Sequence, residues 1–137
     1  MRYIKLFENF SLSKHIKIRE NIESCLVELT DKGFEVSTYV DYKYINVEIV
    51  KDYNDYDALH NSEDFELCDI QDDVKQLTDY ISETYHDKLL RVEYIPETRF
   101  NNNNVYSKLE DIPDGLDLIR FDVYFYFENL GMFESFI

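Results

Sequence analysis

FEVSTYVDYKYINVEIVK, residues 34–51, decides the fold. Phe34, Val36, Thr38 and Val40 alternate with Glu35, Ser37, Tyr39 and Asp41. After a turn near Asp41–Lys43, Ile45, Val47 and Ile49 alternate with Tyr44, Asn46 and Glu48. A period of two sends successive side chains to opposite faces of a strand, so the stretch predicts a β-hairpin with one apolar face. The turn lacks an Asn-Gly or Asp-Gly pair, which leaves its register open.

Outward from the hairpin the period changes. In SLSKHIKIRENIESCLVELTDKGF, residues 11–34, Ile18, Ile22, Cys25, Leu26 and Leu29 keep helical spacing. Ser13 is placed to cap the start, and Lys32 and Gly33 supply the stop signal, so one continuous helix is predicted. In IQDDVKQLTDYISETYH, residues 70–86, Ile70, Val74, Leu77, Ile81 and Tyr85 form a second helical stripe. Asp69 is predicted as its N-cap, with Asp72 and Asp73 in the first turn, where the helix dipole favours acids.

KLLRVEYIPE (88–97) reads as a third strand with Leu90, Val92 and Tyr94 on one face, ended by Pro96. LIRFDVYFYFE (118–128) reads as a fourth, with Ile119, Phe121, Val123, Phe125 and Phe127 inward and Arg120, Asp122, Tyr124 and Tyr126 outward. Residues 97–117 form a long connector. In it Ser107 and Glu110 could make a capping box, and Pro113-Asp114-Gly115 marks a bend. The N-terminal MRYIKLFENF, residues 1–10, carries Tyr3, Leu6, Phe7 and Phe10 at the spacing of a short amphipathic helix. The whole predicts one α+β domain over residues 1–137: a four-stranded antiparallel sheet in α-β-β-α-β-β order, both main helices on one face.

Of 137 residues, 45% are hydrophobic and 16% aromatic, enough for a packed core. The formal charge of −15 argues against direct contact with nucleic acid or an anionic membrane, and favours a basic protein partner. Cys25 and Cys68 are too few for a disulfide framework or a cysteine zinc site. No apolar run approaches the length of a membrane span, and no secretory segment opens the chain, so a cytosolic protein is expected.

The three glycines are spent on a cap, a turn and a tail bend, and no phosphate-cradling loop can be written. No cofactor is expected, and an enzyme is the less favoured class. One alternative is a small metal-dependent enzyme, if His60 and carboxylates near it, such as Asp57 and Glu63, converge; His15 and His86 lie elsewhere, at helix ends.

Residues 51–73 hold nine carboxylates against Lys51, a local charge of −8. Three of the acids serve the helix start. The other six, Asp52, Asp55, Asp57, Glu63, Asp64 and Glu66, are the favoured partner-binding set, and in a sharper form a DNA mimic. A mimic needs an ordered row of acids, since duplex DNA carries a charge about every 1.7 Å of axis.

Two further surfaces compete. The outer sheet face gathers Tyr39, Tyr44, Tyr124 and Tyr126 with Glu35, Glu48, Glu93 and Asp122 and with Arg91 and Arg120, a composition suited to protein contact rather than base stacking. The apolar ends, MRYIKLFENF and the tail with Phe133, Phe136 and Ile137, either fold back or serve self-association.

MRYIKLFENF, a basic start followed by Leu6-Phe7-Glu8 and Phe10, resembles the short N-termini of small proteins of tailed bacteriophages. Some of these leaders target a protein to the capsid and are removed by a prohead protease that cleaves after Leu-x-Glu or Ile-x-Glu. Leu6-Phe7-Glu8 and Ile18-Arg19-Glu20 fit that pattern. The segment LTDKGFEVSTYVD (29–41) followed by INVEIVK (45–51) likewise resembles uncharacterised small phage proteins. The resemblance implies a phage-type binding protein, one that inhibits a host nucleic-acid-handling or defence protein, or alternatively a virion head-associated or assembly protein.

Overall fold

The computed structural model describes residues 15–51, 64–99 and 104–128. The leader helix, the Ser13 cap, His60 and the apolar tail fall outside these residues.

The hairpin forms as its alternation requires: β1 (Phe34–Val40) pairs antiparallel with β2 (Tyr44–Lys51), Val36 opposite Ile49 and Thr38 opposite Val47. The Asp41 amide donates to the Tyr44 carbonyl at 2.9 Å, and no non-glycine residue among those described has positive φ. The turn is therefore not of the primed type that Asn-Gly would have announced.

β3 (Leu89–Thr98) and β4 (Leu118–Phe127) complete an antiparallel sheet of order β1-β2-β4-β3. The fold is α+β, a four-stranded antiparallel sheet with helices.

Two β-bulges correct the predicted faces. The β3–β4 register shifts between Leu89 and Arg91, so Leu90 is the extra residue; it is exposed, and Leu89 packs on the core in its place. A second shift, between Glu97 and Thr98, leaves Ile119 as the extra residue on β4. Leu118 is fully buried there and Ile119 only half so. An inserted residue inverts the alternation beyond it, which pattern reading cannot foresee.

Nor does Pro96 end β3. The outer edge of β3 faces Tyr106, which exchanges both backbone hydrogen bonds with Tyr94 (2.7 and 2.9 Å). Pro96 lies two residues along on the same edge, where no ladder donor is missed. The connector thus starts after Thr98. Within it a 3₁₀ turn, Leu109–Asp111, has Lys108 at its head without a side-chain cap, so the Ser107–Glu110 box does not form.

The predicted first helix is interrupted. Residues 15–25 are helical (α1), Leu26 makes a turn in which its amide bonds the Glu23 carbonyl at 3.1 Å, and α2 runs over Val27–Asp31. Ile18, Ile22, Leu26 and Leu29 still reach the core.

The second main helix, α3 (Leu67–Thr84), begins earlier than predicted. Its N-cap is Glu66, and Asp69 is the third helical residue, accepting a hydrogen bond from the Glu66 amide at 2.9 Å. Asp72 and Asp73 therefore lie in the second turn. Asp73 is buried against α2, its Oδ2 3.7 Å from Lys32 Nζ. The early start follows from Phe65, whose amide and carbonyl both bond Leu118 and whose ring packs edge-on against Phe34.

Ile70, Val74, Leu77 and Ile81 of α3 join the helix residues 18–29 and the inner sheet face, including Ile45, Val47, Phe121 and Phe125, in one buried cluster. Tyr85 at the end of α3 is half-buried, its ring edge-on to Phe127. Thr38 sits on this inner face with a buried hydroxyl that has no hydrogen-bond partner. An unsatisfied hydroxyl carries a desolvation cost of about 1–3 kcal/mol. Thr38→Val is accordingly expected to raise unfolding free energy by about 1 kcal/mol in chemical denaturation. A loss of stability instead would show that the hydroxyl is satisfied in solution.

Candidate functional site

The acidic stretch divides at residue 64. Asp52, Asp55, Asp57 and Glu63 lie outside the described residues. Asp64 and Glu66 are engaged: Asp64 Oδ1 accepts from Arg99 Nη2 at 2.8 Å and Nε at 3.0 Å, and Glu66 heads α3. Both flank Phe65, which is pinned to β4.

His15 and His86 are not brought together with acids into a cation site. His86 is exposed, its Nε2 2.8 Å from Oδ1 of its neighbour Asp87. The His15 ring is tilted 48° to that of Tyr42, with ring centroids 6.3 Å apart. Among the described residues no group of three or more His, Cys, Asp or Glu side chains is placed to hold a metal ion, and no helix is long and apolar enough to cross a membrane.

The outer face of the sheet is the concentrated feature. Strand alternation alone delivers its residues: Tyr39 from β1, Tyr44, Asn46 and Glu48 from β2, Arg120, Asp122, Tyr124 and Tyr126 from β4, and Arg91, Glu93 and Glu97 from β3. Cross-strand register then brings the rings together. Tyr44 stands opposite Tyr126 and Asn46 opposite Tyr124. Ring centroids are 5.7 Å apart for Tyr39–Tyr44, 6.1 Å for Tyr44–Tyr124 and 6.0 Å for Tyr124–Tyr126, the last pair stacked. Such contacts stabilise a sheet face and hold each ring in place. Tyr39, at the rim, is 54% exposed.

The Tyr44 and Tyr124 hydroxyls stay protonated. Partial burial pushes Tyr44 up, helped by Tyr39, Asp41 and Tyr124, and burial with Asp122 and Glu48 does the same for Tyr124 against the pull of Arg120. The face thus presents neutral phenols, with π-faces and O–H donors, beside carboxylates.

Beyond the rings the face turns ionic. Arg120 Nη2 lies 2.7 Å from Glu97 Oε2, and its Nε lies 3.2 Å from Asp122 Oδ2 without the N–H pointing at that oxygen. Asp122 is buried, and burial raises its carboxyl above the ordinary range; Arg120 lowers it, Glu48 raises it, an Asn46 hydrogen bond lowers it and Glu97 raises it. At the tyrosine end, Arg91 lies over the Tyr126 ring, 4.0 Å from its centroid, with its Nε 3.4 Å from Glu93 Oε2.

The sequence pattern found the four tyrosines, the two arginines and three of these acids, Glu48, Glu93 and Asp122; Glu35, also expected on this face, is exposed near the start of β1. It missed Glu97, because the link from Arg120 to β3 exists only through strand register. It also missed the Asp64–Arg99 pair, whose members are 35 positions apart in the chain.

Comparison with family models, with curated proteins and with solved structures finds no match to this chain.

Proposed function

We propose that the protein is an acidic protein-binding module whose contact surface is the outer, tyrosine-bearing face of the sheet, and whose partner is a basic protein. The observation that carries this reading is the cluster of Tyr39, Tyr44, Tyr124 and Tyr126, each ring centroid within about 6 Å of a neighbouring ring's on a partly exposed face. Tyrosine supplies large contact area at little entropic cost and is enriched among interface anchors. The sign of the partner follows from the chain's charge of −15 and from a face with more carboxylates than arginines. With the resemblance to small phage proteins, a host nucleic-acid-handling or defence protein suits this chemistry, because grooves that hold nucleic acid are lined with Lys and Arg.

The test compares affinity capture by the full chain at low and high salt across three proteins. These are the wild type, a face variant (Tyr39→Ser, Tyr44→Thr) and a variant with Asp52, Asp55, Asp57 and Glu63 amidated. Thermal unfolding first establishes that all three fold. A basic protein held by the wild type, released by salt and lost in the face variant is the expected result, with the anchors contributing about 2 kcal/mol or more. Retention by the face variant and loss in the amidated one would return the contact to the acidic stretch.

A further inference from the structure

On the outer face two carboxylates share one guanidinium and a third stands apart from it. Glu48 of β2 stands directly across from Asp122 of β4, and Glu97 of β3 across from Arg120. Arg120 serves Glu97 and Asp122. Glu48 is half-buried and has no cationic partner among the described residues, although it faces a like charge across the strands. That arrangement works against the sheet unless a cation is supplied.

The same face shows how a cation is accommodated. Arg91 lies over Tyr126, 4.0 Å from the ring centroid, with Glu93 beside it, a seat built from one ring and one carboxylate and already filled. The neighbouring seat has the same parts: the Tyr124 ring, Tyr44 with its centroid 6.1 Å away, and the Glu48 carboxylate on β2, two positions from Asn46, which stands opposite Tyr124. It holds no cation from the described chain.

We infer that the seat formed by Glu48, Tyr124 and Tyr44 binds an arginine side chain presented by the protein partner. This rests on the outer face being the contact surface and adds which side chain it selects. A guanidinium is planar, weakly hydrated and forked. It can stack on Tyr124 while donating two hydrogen bonds to Glu48, and it relieves the Glu48–Asp122 repulsion as it does so. A lysine ammonium answers the charge alone, and loses more hydration on docking.

The experiment is an NMR titration of the full chain with the blocked peptide Ac-Gly-Arg-Gly-Arg-Gly-NH₂ and with its lysine counterpart of equal charge. The arginine peptide is expected to shift the Tyr44 and Tyr124 ring signals and to bind about three- to fivefold more tightly than the lysine peptide. Tyr124→Phe keeps the π-face and should retain the preference for the arginine peptide. Tyr124→Thr and Glu48→Gln should each weaken binding roughly threefold. Signal dispersion in the same spectra reports whether each variant is folded, and should Tyr124→Thr unfold, Glu48→Gln carries the comparison. Equal binding of the two peptides with unmoved ring signals overturns the arginine seat while leaving a generally basic contact intact. Absence of binding by either peptide also overturns the seat, and capture by the Tyr39→Ser, Tyr44→Thr variant decides separately on the face.

Discussion

Phe125→Ala is expected to lower unfolding free energy by about 3–5 kcal/mol, a large part of the roughly 5–15 kcal/mol that holds a domain of this size. Phe125 is fully buried on β4, an interior strand of the sheet, opposite Ile45 on β2 and Val92 on β3. Truncation removes ring contacts to both ladders at once. The void lies between two strands whose backbones are fixed by hydrogen bonds, so the site collapses poorly and the cavity cost adds to the lost transfer energy. Denaturant titration followed by far-UV circular dichroism measures it. A loss under about 1 kcal/mol would mean that β4 is not held between its neighbours as described.

Arg120→Ala is expected to cost on the order of 2 kcal/mol at neutral pH, below the full range for a broken buried pair because the Arg120 side chain is 40% exposed. The substitution leaves Asp122 and Glu97 without their guanidinium on the buried part of the face. The pH dependence fixes the cause. Burial raises the Asp122 carboxyl in the folded protein, so the native state binds its proton more tightly than the unfolded chain does. Ionised Asp122 therefore weakens the fold as pH rises through the window between the ordinary carboxylate value and the raised one, and this penalty is absent below that window. In Arg120→Ala the window moves further up, so the variant should lose most at neutral pH and approach the wild type as Asp122 protonates. In an Asp122→Asn background the Arg120→Ala cost should shrink, the coupling being read from the double-mutant cycle. The same loss at pH 4.5 and 7 would assign the effect to the packing of the Arg120 stem instead.

What could be read in advance follows a physical line. Period-two alternation fixes the facing of a strand whatever its register, so the inner Ile45, Val47 and Ile49 and the outer tyrosines were legible before any pairing was known. The stripe of Ile70, Val74, Leu77 and Ile81 was legible for the same reason at helical period. Facing was lost where a strand carries an extra residue, at Leu90 and Ile119, because a bulge leaves no reliable mark in composition. The start of α3 was misplaced because glutamate is not among the short polar side chains that favour an N-cap. It is the Phe65 bridge to Leu118, a tertiary contact, that sets the boundary. Pairings such as Arg120 with Glu97 and Glu48 with Asp122 belong to register, and the seat argued for arginine is invisible until the strands are ordered.

The strand order has a consequence for biosynthesis. Among the described strands β4 is the last to leave the ribosome, yet it lies between β2 and β3, and its contacts span 77 positions between Asn46 and Val123. Until it arrives, β2 and β3 each offer an unpaired edge to other chains, and the helices have only half a sheet to close on. Closure waits on long-range pairing, the slow step in chains of high contact order. Truncations short of Phe127 should therefore emerge as aggregation-prone chains that require chaperones, rather than as smaller folded domains.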